Sequence, residues 1–205
     1  MARSALRIAY LHGFNSGSAS LKGRQLGKAI AGLPAAARPE YHLPKLAHRP
    51  ALAIRAVSSW VESGARENLA FVGSSLGGFY ATHLAERYGT KAVLINPALA
   101  PDRDLAAYLG TQSNPYTGET YEFTPDHLAE MAALKVSCIT RPERYLLMVQ
   151  TEDEVLDYRR AVAFYAGAWQ FVQGGGDHAF RDFAAQISPI LRFAGVDPTA
   201  LRQLP

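Results

Sequence analysis

Residues 69–88 have the sequence LAFVGSSLGGFYATHLAERY, and this stretch decides the fold. Its first part, 69–73 (LAFVG), is a continuous apolar run typical of a buried strand, and 76–88 has the apolar spacing of a helix. Between them, Gly73, Ser75 and Gly77 match the pattern G-x-S-x-G, which marks a nucleophile elbow when a strand precedes it and a helix follows. The stretch therefore predicts a sharp turn that presents Ser75 as a nucleophile.

The frame of the motif is unambiguous, because centring it on Ser74 would require glycines at Val72 and Leu76. Small residues two positions before and after the serine avoid clashes that larger side chains would cause in so tight a turn. A phosphate-binding loop is excluded because no Lys follows the glycines, and the dinucleotide fingerprint G-x-G-x-x-G is also missing. The helix after the turn points its positive end at negative charge that develops near Ser75.

Short apolar runs alternate with helical patterns along the rest of the chain, which is typical of a parallel sheet covered on both faces. We therefore expect one α/β domain over 1–205, with about six mostly parallel strands and helices on both faces. The predicted strands are 5–11, 38–43, 69–73, 91–95, 144–150 and 168–172, and the predicted helices of this alternation are 21–30, 51–63 and 76–88.

Residues 96–143 interrupt this alternation and contain no convincing strand. A helix is expected over 125–134, with Thr124 as its N-cap and Pro125 in its first turn, and 114–118 (NPYTG) forms a turn cluster. So long an excursion inside a compact domain is usually functional, so we expect a cap or lid; a purely structural excursion is the alternative. Its apolar side chains could line an acyl pocket or form a small core of the cap: Leu105, Tyr108, Tyr116, Tyr121 and Phe123.

The composition is that of an ordinary globular protein, with 48% hydrophobic and 19% charged residues. The net charge of +3 comes from scattered basic residues, so no nucleic-acid partner is expected. Cys138 is the only cysteine, which excludes an internal disulfide. Arg3 and Arg7 interrupt an N-terminal apolar stretch that is too short for export or for spanning a bilayer, so a cytoplasmic protein without a membrane span is expected.

A serine nucleophile needs a base and an orienting acid, and in α/β-hydrolases the chain order is Ser, Asp or Glu, then His. His178 follows the last predicted strand in a glycine-rich loop and is our candidate for the base. His83 would point away along the helix, and His127 precedes any strand that could present the acid. His12 precedes Ser75 and is expected to have a structural role.

The acid is expected in the loop after the strand 144–150, because ligands in open α/β sheets bind beyond the carboxyl ends of the strands. Asp153 is our choice, since the apolar Val155 nearby can anchor the loop. Asp157 is the main competitor, unless it caps the helix that begins at Tyr158. Glu152 and Glu154 are expected to be solvated neighbours of Asp153, and Asp177 is expected to be a turn residue.

Two backbone N–H groups are expected to form an oxyanion hole: that of Leu76, directly after the nucleophile, and that of Phe14 in the loop after the first strand. With Ser75, Asp153 and His178 these groups suffice for acyl transfer through an acyl-enzyme, and no metal or cofactor is needed.

The chain resembles the small bacterial YqiA/YcfP-type esterases over nearly its whole length. The resemblance rests on four motifs in the same order and on the insertion motif 114–119 (NPYTGE). The four are 11–16 (LHGFNS), 73–79 (GSSLGGF), 153–158 (DEVLDY) and 175–180 (GGDHAF). The resemblance implies an α/β-hydrolase fold, esterase or acyl-CoA thioesterase activity, and a triad of Ser75, Asp153 and His178. Glu152 departs from the pattern, since similar sequences often have Gly there.

We therefore expect a serine hydrolase whose substrate is a small-molecule acyl ester or acyl thioester. Two alternatives stay open: a non-catalytic binding module of the same fold with a vestigial triad, and a hydrolase of amide or carbon–carbon bonds. The second is open because the triad chemistry is shared and the pocket selects the substrate.

Overall fold

The computed structural model describes residues 5–202. In chain order its strands are β1 (Arg7–Leu11), β2 (Glu40–His42), β3 (Leu69–Ser74), β4 (Lys91–Ile95), β5 (Gly110–Ser113), β6 (Thr120–Phe123), β7 (Tyr145–Gln150) and β8 (Trp169–Gln173). Its α-helices are α1 (Leu21–Ala31), α2 (Pro50–Glu62), α3 (Leu76–Tyr88), α4 (Pro101–Asp104), α5 (Pro125–Ala133), α6 (Tyr158–Phe164), α7 (Ile187–Ala194) and α8 (Pro198–Leu201). Arg3, which was predicted to interrupt the N-terminal apolar stretch, lies outside the described residues.

Six strands form one sheet in the order β2-β1-β3-β4-β7-β8, and every neighbouring pair is parallel. All six residues of β3 are buried, because helices cover both faces of the sheet. Side chains alternate between the faces, so Phe71 packs in the core beneath α2 and α3 while Val72 packs in the core beneath α1 and α7. The predicted α/β class and the six strands are confirmed.

The prediction of no strand within 96–142 is wrong, because β5 and β6 pair there as an antiparallel hairpin. Its turn is the cluster at 114–118, where the Gly118 N–H donates to the Asn114 carbonyl at 2.8 Å. Both strands are polar and half-exposed (GTQS and TYEF), so they lack the continuous apolar run by which the sheet strands were found. The helix α5 begins at Pro125, and its N-cap Thr124 shares a capping box with His127.

The excursion is attached to the main body by apolar side chains at its base. Phe123, at the end of β6, and Met131, in α5, are both buried in the core beneath α2 and α3. Over residues 5–202, no helix combines the length and apolar character that crossing a bilayer requires.

Candidate active site

Ser75 lies in the turn between β3 and α3, with φ of 56° and ψ of −122°. A non-glycine residue at positive φ is strained, and such strain is common at functional sites. The turn is held because the Ser75 N–H donates to the Ile95 carbonyl at 3.0 Å and the Ser75 carbonyl accepts from the Ala98 N–H at 3.1 Å. The Ser75 side chain is therefore fixed at the carboxyl edge of the sheet.

The glycines of the motif are required by close contacts between backbone segments. A Cβ at Gly73 would overlap the Gly77 carbonyl, and a Cβ at Gly77 would overlap the Leu11 carbonyl of β1. Because backbone atoms cannot move aside as a flexible side chain can, even alanine would disrupt the elbow at either position.

His178 lies between Ser75 and Asp153 and contacts both. Its Nε2 is 3.0 Å from the Ser75 Oγ, and its Nδ1 is 2.9 Å from Asp153 Oδ2. The Asp153 side chain is 2% exposed and that of His178 is 21% exposed, so the acid is sealed while the imidazole borders the solvent. The loops that follow β3, β7 and β8 thus bring the three predicted residues into one hydrogen-bonded row.

The electrostatics of this row favour an ionised acid. Burial raises the pKa of the Asp153 carboxyl, but hydrogen bonds from His178 and from the N–H groups of Leu156 and Val155 outweigh it and lower the pKa. Both N–H groups lie 2.9 Å from Oδ1. A carboxylate only accepts, so His178 Nδ1 carries the hydrogen and Nε2 is left to accept the proton of Ser75.

Two competing acids have other partners. Asp157 is the N-cap of α6 and accepts from the backbone N–H two residues along the chain at 3.0 Å. Asp177 accepts from the Arg181 side chain at 2.8 Å. The helix cap weighed for Asp157 is therefore what the structure shows.

Glu154 is exposed, as expected of a solvated neighbour, but it also contacts the loop of His178. Its Oε2 accepts from the backbone N–H of His178 at 2.9 Å, so it supports the loop that carries the imidazole. Its place three residues before a helix cap gave no sign of this contact, because the contact joins two loops that only the sheet brings together. Glu152 is exposed, as expected.

The rings of His12, His83 and His127 have hydrogen-bond partners other than Ser75. His12 is 4% exposed, and its Nε2 accepts from the Leu46 N–H at 3.1 Å. His83 Nδ1 donates to the carbonyl of the residue that follows α5, at 2.9 Å. His127 in α5 bonds the ring of His48 at 2.9 Å. Each of these contacts is structural.

The loop after β1 reaches the elbow at Gly13, where a Cβ would lie 3.3 Å from that of Ser75. The next residues are Phe14, the predicted oxyanion donor, and Asn15, which has a φ of 47°. Among the described residues, neither the N–H of Phe14 nor that of Leu76 has a hydrogen-bond partner. Phe14 and Leu76 both line the same cavity as Ser75.

That cavity has a volume of about 320 Å³ and lies directly beside Ser75. Its walls carry two carboxylates, Asp104 and Glu154, and none of the described residues that line it is Lys, Arg or His. Over residues 5–202, no group of three or more His, Cys, Asp or Glu side chains is placed to hold a metal ion. The apolar part of the wall includes Phe14, Leu76, Pro101, Leu105, Tyr108 and Leu156.

Some apolar residues of the insertion line the cavity beside Ser75, and others pack or bond against the main body. Leu105 and Tyr108 line the cavity. Phe123 is buried in the core, and Tyr121 donates to an asparagine side chain in the loop after β1 at 2.7 Å. Tyr116, at the tip of the hairpin, is 60% exposed. One group of side chains therefore shapes the cavity and another anchors the insertion.

The sequence was compared with models of protein families and with curated proteins. The model of UPF0227, described as an uncharacterised protein family, matches residues 7–195. The chain belongs to the UPF0227 family. A UPF0227 protein of Yersinia enterocolitica is 23% identical over 192 residues, covering 91% of this chain and 97% of the relative, and a UPF0227 protein of Yersinia pseudotuberculosis matches to the same extent. The resemblance to the YqiA/YcfP-type family is confirmed.

Solved structures with the same fold include several α/β hydrolases. The monoacylglycerol lipase of Paleococcus ferrophilus has a TM-score of 0.67 at 14% identity, over 94% of this UPF0227 chain and 96% of the lipase. Mouse α/β hydrolase domain-containing protein 10 has a TM-score of 0.66 at 16% identity, over 90% and 89%. Est1E of Butyrivibrio proteoclasticus has a TM-score of 0.65 at 14% identity, over 98% and 89%. The UPF0227 chain therefore has the α/β-hydrolase fold.

Two residues near the site of this UPF0227 protein were not predicted from its sequence. Asn96 directly follows β4 and Gln150 ends β7; both are buried amides, 2% and 0% exposed. The available signal was a polar residue at the carboxyl end of an otherwise apolar strand, which in a parallel sheet lies at the ligand-binding edge.

Proposed function

We propose that this UPF0227 protein is a serine hydrolase that cleaves carboxylic esters or acyl thioesters through Ser75, His178 and Asp153. The observation that carries the proposal is the continuous row of hydrogen bonds, 3.0 Å from Ser75 Oγ to His178 Nε2 and 2.9 Å from Nδ1 to Asp153. A nucleophile bonded to a base that an acid orients is the arrangement required for acyl transfer.

In the first step His178 Nε2 takes the hydroxyl proton as the Ser75 oxygen bonds to the substrate carbonyl carbon. The N–H groups of Phe14 and Leu76 donate to the resulting oxyanion. The tetrahedral intermediate collapses, the imidazolium gives its proton to the leaving alcohol or thiol, and an acyl-enzyme forms. Water, deprotonated by the same imidazole, then attacks the acyl carbon and releases the acid.

The cavity beside Ser75 supports an uncharged acyl group. Its walls are mostly apolar, and the charged side chains among its described lining residues are two carboxylates, Glu154 and Asp104, the latter paired with Arg160 at 3.6 Å, so the lining offers no cation to an anionic group. We infer that residues 96–143 act as a cap within a single-domain protein; that Leu105 and Tyr108 of this segment line the cavity supports the cap. An ester substrate is also supported by the lipolytic enzymes that share the fold of this protein.

The decisive test compares Ser75→Ala with Ser74→Ala on p-nitrophenyl esters. Removal of the nucleophile should lower kcat on the order of 10⁴- to 10⁶-fold, because the remaining residues cannot form an acyl-enzyme. Ser74→Ala removes the neighbouring hydroxyl, which is outside the row, and should retain activity. Wild-type rates in Ser75→Ala would contradict the proposal.

A fluorophosphonate probe distinguishes a working nucleophile from a vestigial one. Labelling that requires Ser75 and His178 supports the hydrolase, whereas a folded protein that resists the probe and turns over no ester would be a binding module. A series of p-nitrophenyl esters and acyl-CoA thioesters of graded chain length then determines which leaving group and chain length this cavity accepts.

A further inference from the structure

The loop that carries His178, residues 174–182 (hereafter the histidine loop), has no regular secondary structure. Four of its residues have a positive φ: Gly175 at 77°, Gly176 at 85°, Phe180 at 63° and Asp182 at 58°. The loop lies beyond the end of β8, so strand pairing does not satisfy its backbone. Its buried backbone N–H and carbonyl groups therefore need partners from elsewhere in the molecule.

Asn96 supplies two of these partners. Its Nδ2 donates to the carbonyls of Asp177 and His178 at 3.0 and 3.2 Å, and its Oδ1 accepts from the Gln150 N–H at 3.1 Å. The residue has a φ of 41°, a conformation that asparagine tolerates better than most residues. One buried amide thus joins the end of β4 to the end of β7 and to the backbone of His178 itself.

Gln150 supplies further partners. Its Oε1 accepts from the N–H groups of Asp177 and Arg181 at 3.0 and 2.9 Å, and its Nε2 donates to the Arg181 carbonyl at 2.9 Å and to Gln173 at 3.0 Å. All four hydrogen-bonding positions of this fully buried amide are used. A Cβ at Gly176 would overlap the Gln150 amide, so the loop backbone lies directly against this side chain.

These two amides also lie next to the supports of the other two residues in the row. Asn96 follows Ile95, whose carbonyl accepts from the Ser75 N–H. Gln150 precedes Asp153 by three residues on the same strand and loop. Both amides therefore connect the histidine loop to the strands that position Ser75 and Asp153.

We propose that Asn96 and Gln150 are positioning residues that hold the histidine loop so that the His178 imidazole stays between Ser75 and Asp153. The inference deepens the proposed function, on which its catalytic meaning rests, and neither side chain touches the cavity beside Ser75. A shift of about 1 Å at the imidazole lowers the rate by about 100-fold, so small errors in the loop have large effects on turnover.

The test uses Asn96→Asp and Gln150→Glu, which keep size but replace the donating NH₂ by an oxygen. Each new carboxylate oxygen would face backbone carbonyls and repel the loop. Gln170→Glu is the matched control. Gln170 Nε2 also donates to two carbonyls, that of Val162 in α6 at 3.1 Å and that of Tyr165 directly after α6 at 2.9 Å, and both lie away from the histidine loop. Asn96→Gly and Gln150→Met replace either charged variant that fails to fold.

Turnover is measured on protein whose active fraction has been titrated with a fluorophosphonate, so that lost folding does not count as lost catalysis. We expect the Asn96 and Gln150 variants to lower kcat about 10- to 100-fold with KM nearly unchanged, and the control to retain the wild-type kcat. Equal kcat per active site in wild type and in both positioning variants would overturn the proposal.

A second readout does not depend on any ester. The Nδ1 proton of His178, bonded to Asp153, is observed by NMR at low field and assigned by its loss in Asp153→Asn. We expect the signal to shift or broaden in the Asn96 and Gln150 variants and to persist in Gln170→Glu. An unchanged signal in both positioning variants overturns the inference, whereas the expected pattern in a wild type that cleaves no ester supports it and contradicts only the proposed function.

Discussion

The histidine loop and the β5–β6 hairpin both lie outside the parallel sheet, yet different contacts hold them. The backbone of the histidine loop is bonded by buried side chains, Asn96 and Gln150, that belong to the sheet strands or follow them directly. The outer part of the hairpin is tied to the main body by exposed groups, such as the ion pair between Lys45 and Glu119 at 2.9 Å. Exposed ion pairs contribute little to stability. We therefore expect the position of the histidine loop to be held more firmly than that of the hairpin.

The largest expected effect tests the buried side of this comparison. Asp153→Asn should lower kcat by about 10⁴-fold, because an amide can donate to His178 Nδ1 and leave the proton on Nε2, the wrong tautomer. Asp157→Asn is the control, since asparagine also caps a helix and this residue is outside the row. Steady-state ester hydrolysis measures both, and equal losses in the two variants would show that Asp153 has no special function.

The next effect tests where the insertion is anchored. Phe123→Ala should lower the free energy of unfolding by about 3–5 kcal/mol, because the ring is buried in the core. Its ring also packs 5.4 Å from that of Phe14, so ester turnover by the folded protein should fall as well. Urea denaturation gives the stability.

Tyr116→Ala, at the exposed tip of the same hairpin, is the control and should change stability by less than about 0.5 kcal/mol. A similar loss in the Phe123 and Tyr116 variants would mean that the tip contributes to the anchor as much as the base does, and the contrast with the histidine loop would weaken.

The smallest effect concerns His83, which bonds the carbonyl of Leu134 at the end of α5. Burial lowers the pKa of His83 below its ordinary 6.5, against the hydrogen bond to Leu134 that raises it. The folded state thus favours the neutral ring, and this contribution to stability is fully present above pH 6.5 and is lost as the pH falls from there through the lowered pKa of the folded state. His83→Asn keeps a donor but does not titrate.

We therefore expect the Tm of the wild type to fall more between pH 7.5 and 5.5 than that of His83→Asn, measured by thermal unfolding in matched buffers. His12 and His127, whose pKa values are lowered in the same direction by burial, are present in both proteins and cancel in the comparison. If the Tm of the two proteins falls equally with pH, protonation of His83 does not contribute to the loss of stability in acid.

Much of the fold was predictable because it depends on local patterns. The strand 91–95 and the helix 76–88 were predicted to the residue, since each is bounded by glycine, proline or a change of period. The hairpin was missed because the stability of two short polar strands comes from their pairing and from the anchor at Phe123. The contact of Glu154 was not predicted because its partner, the His178 N–H, is 24 residues away in the chain.

The amino-acid sequence by itself determined the α/β class, the elbow at Ser75 and the chain order that selects Asp153 and His178 as its candidate partners. These follow from periodicity and from the conformations that glycine allows, which act over a few residues. Only the tertiary structure decided that Asp157 caps a helix, that Leu105 and Tyr108 line the cavity, and that Asn96 and Gln150 bond the histidine loop. Those outcomes depend on which loops meet at the carboxyl edge of the sheet, and hydrogen bonds act only where folding has brought distant residues within about 3 Å.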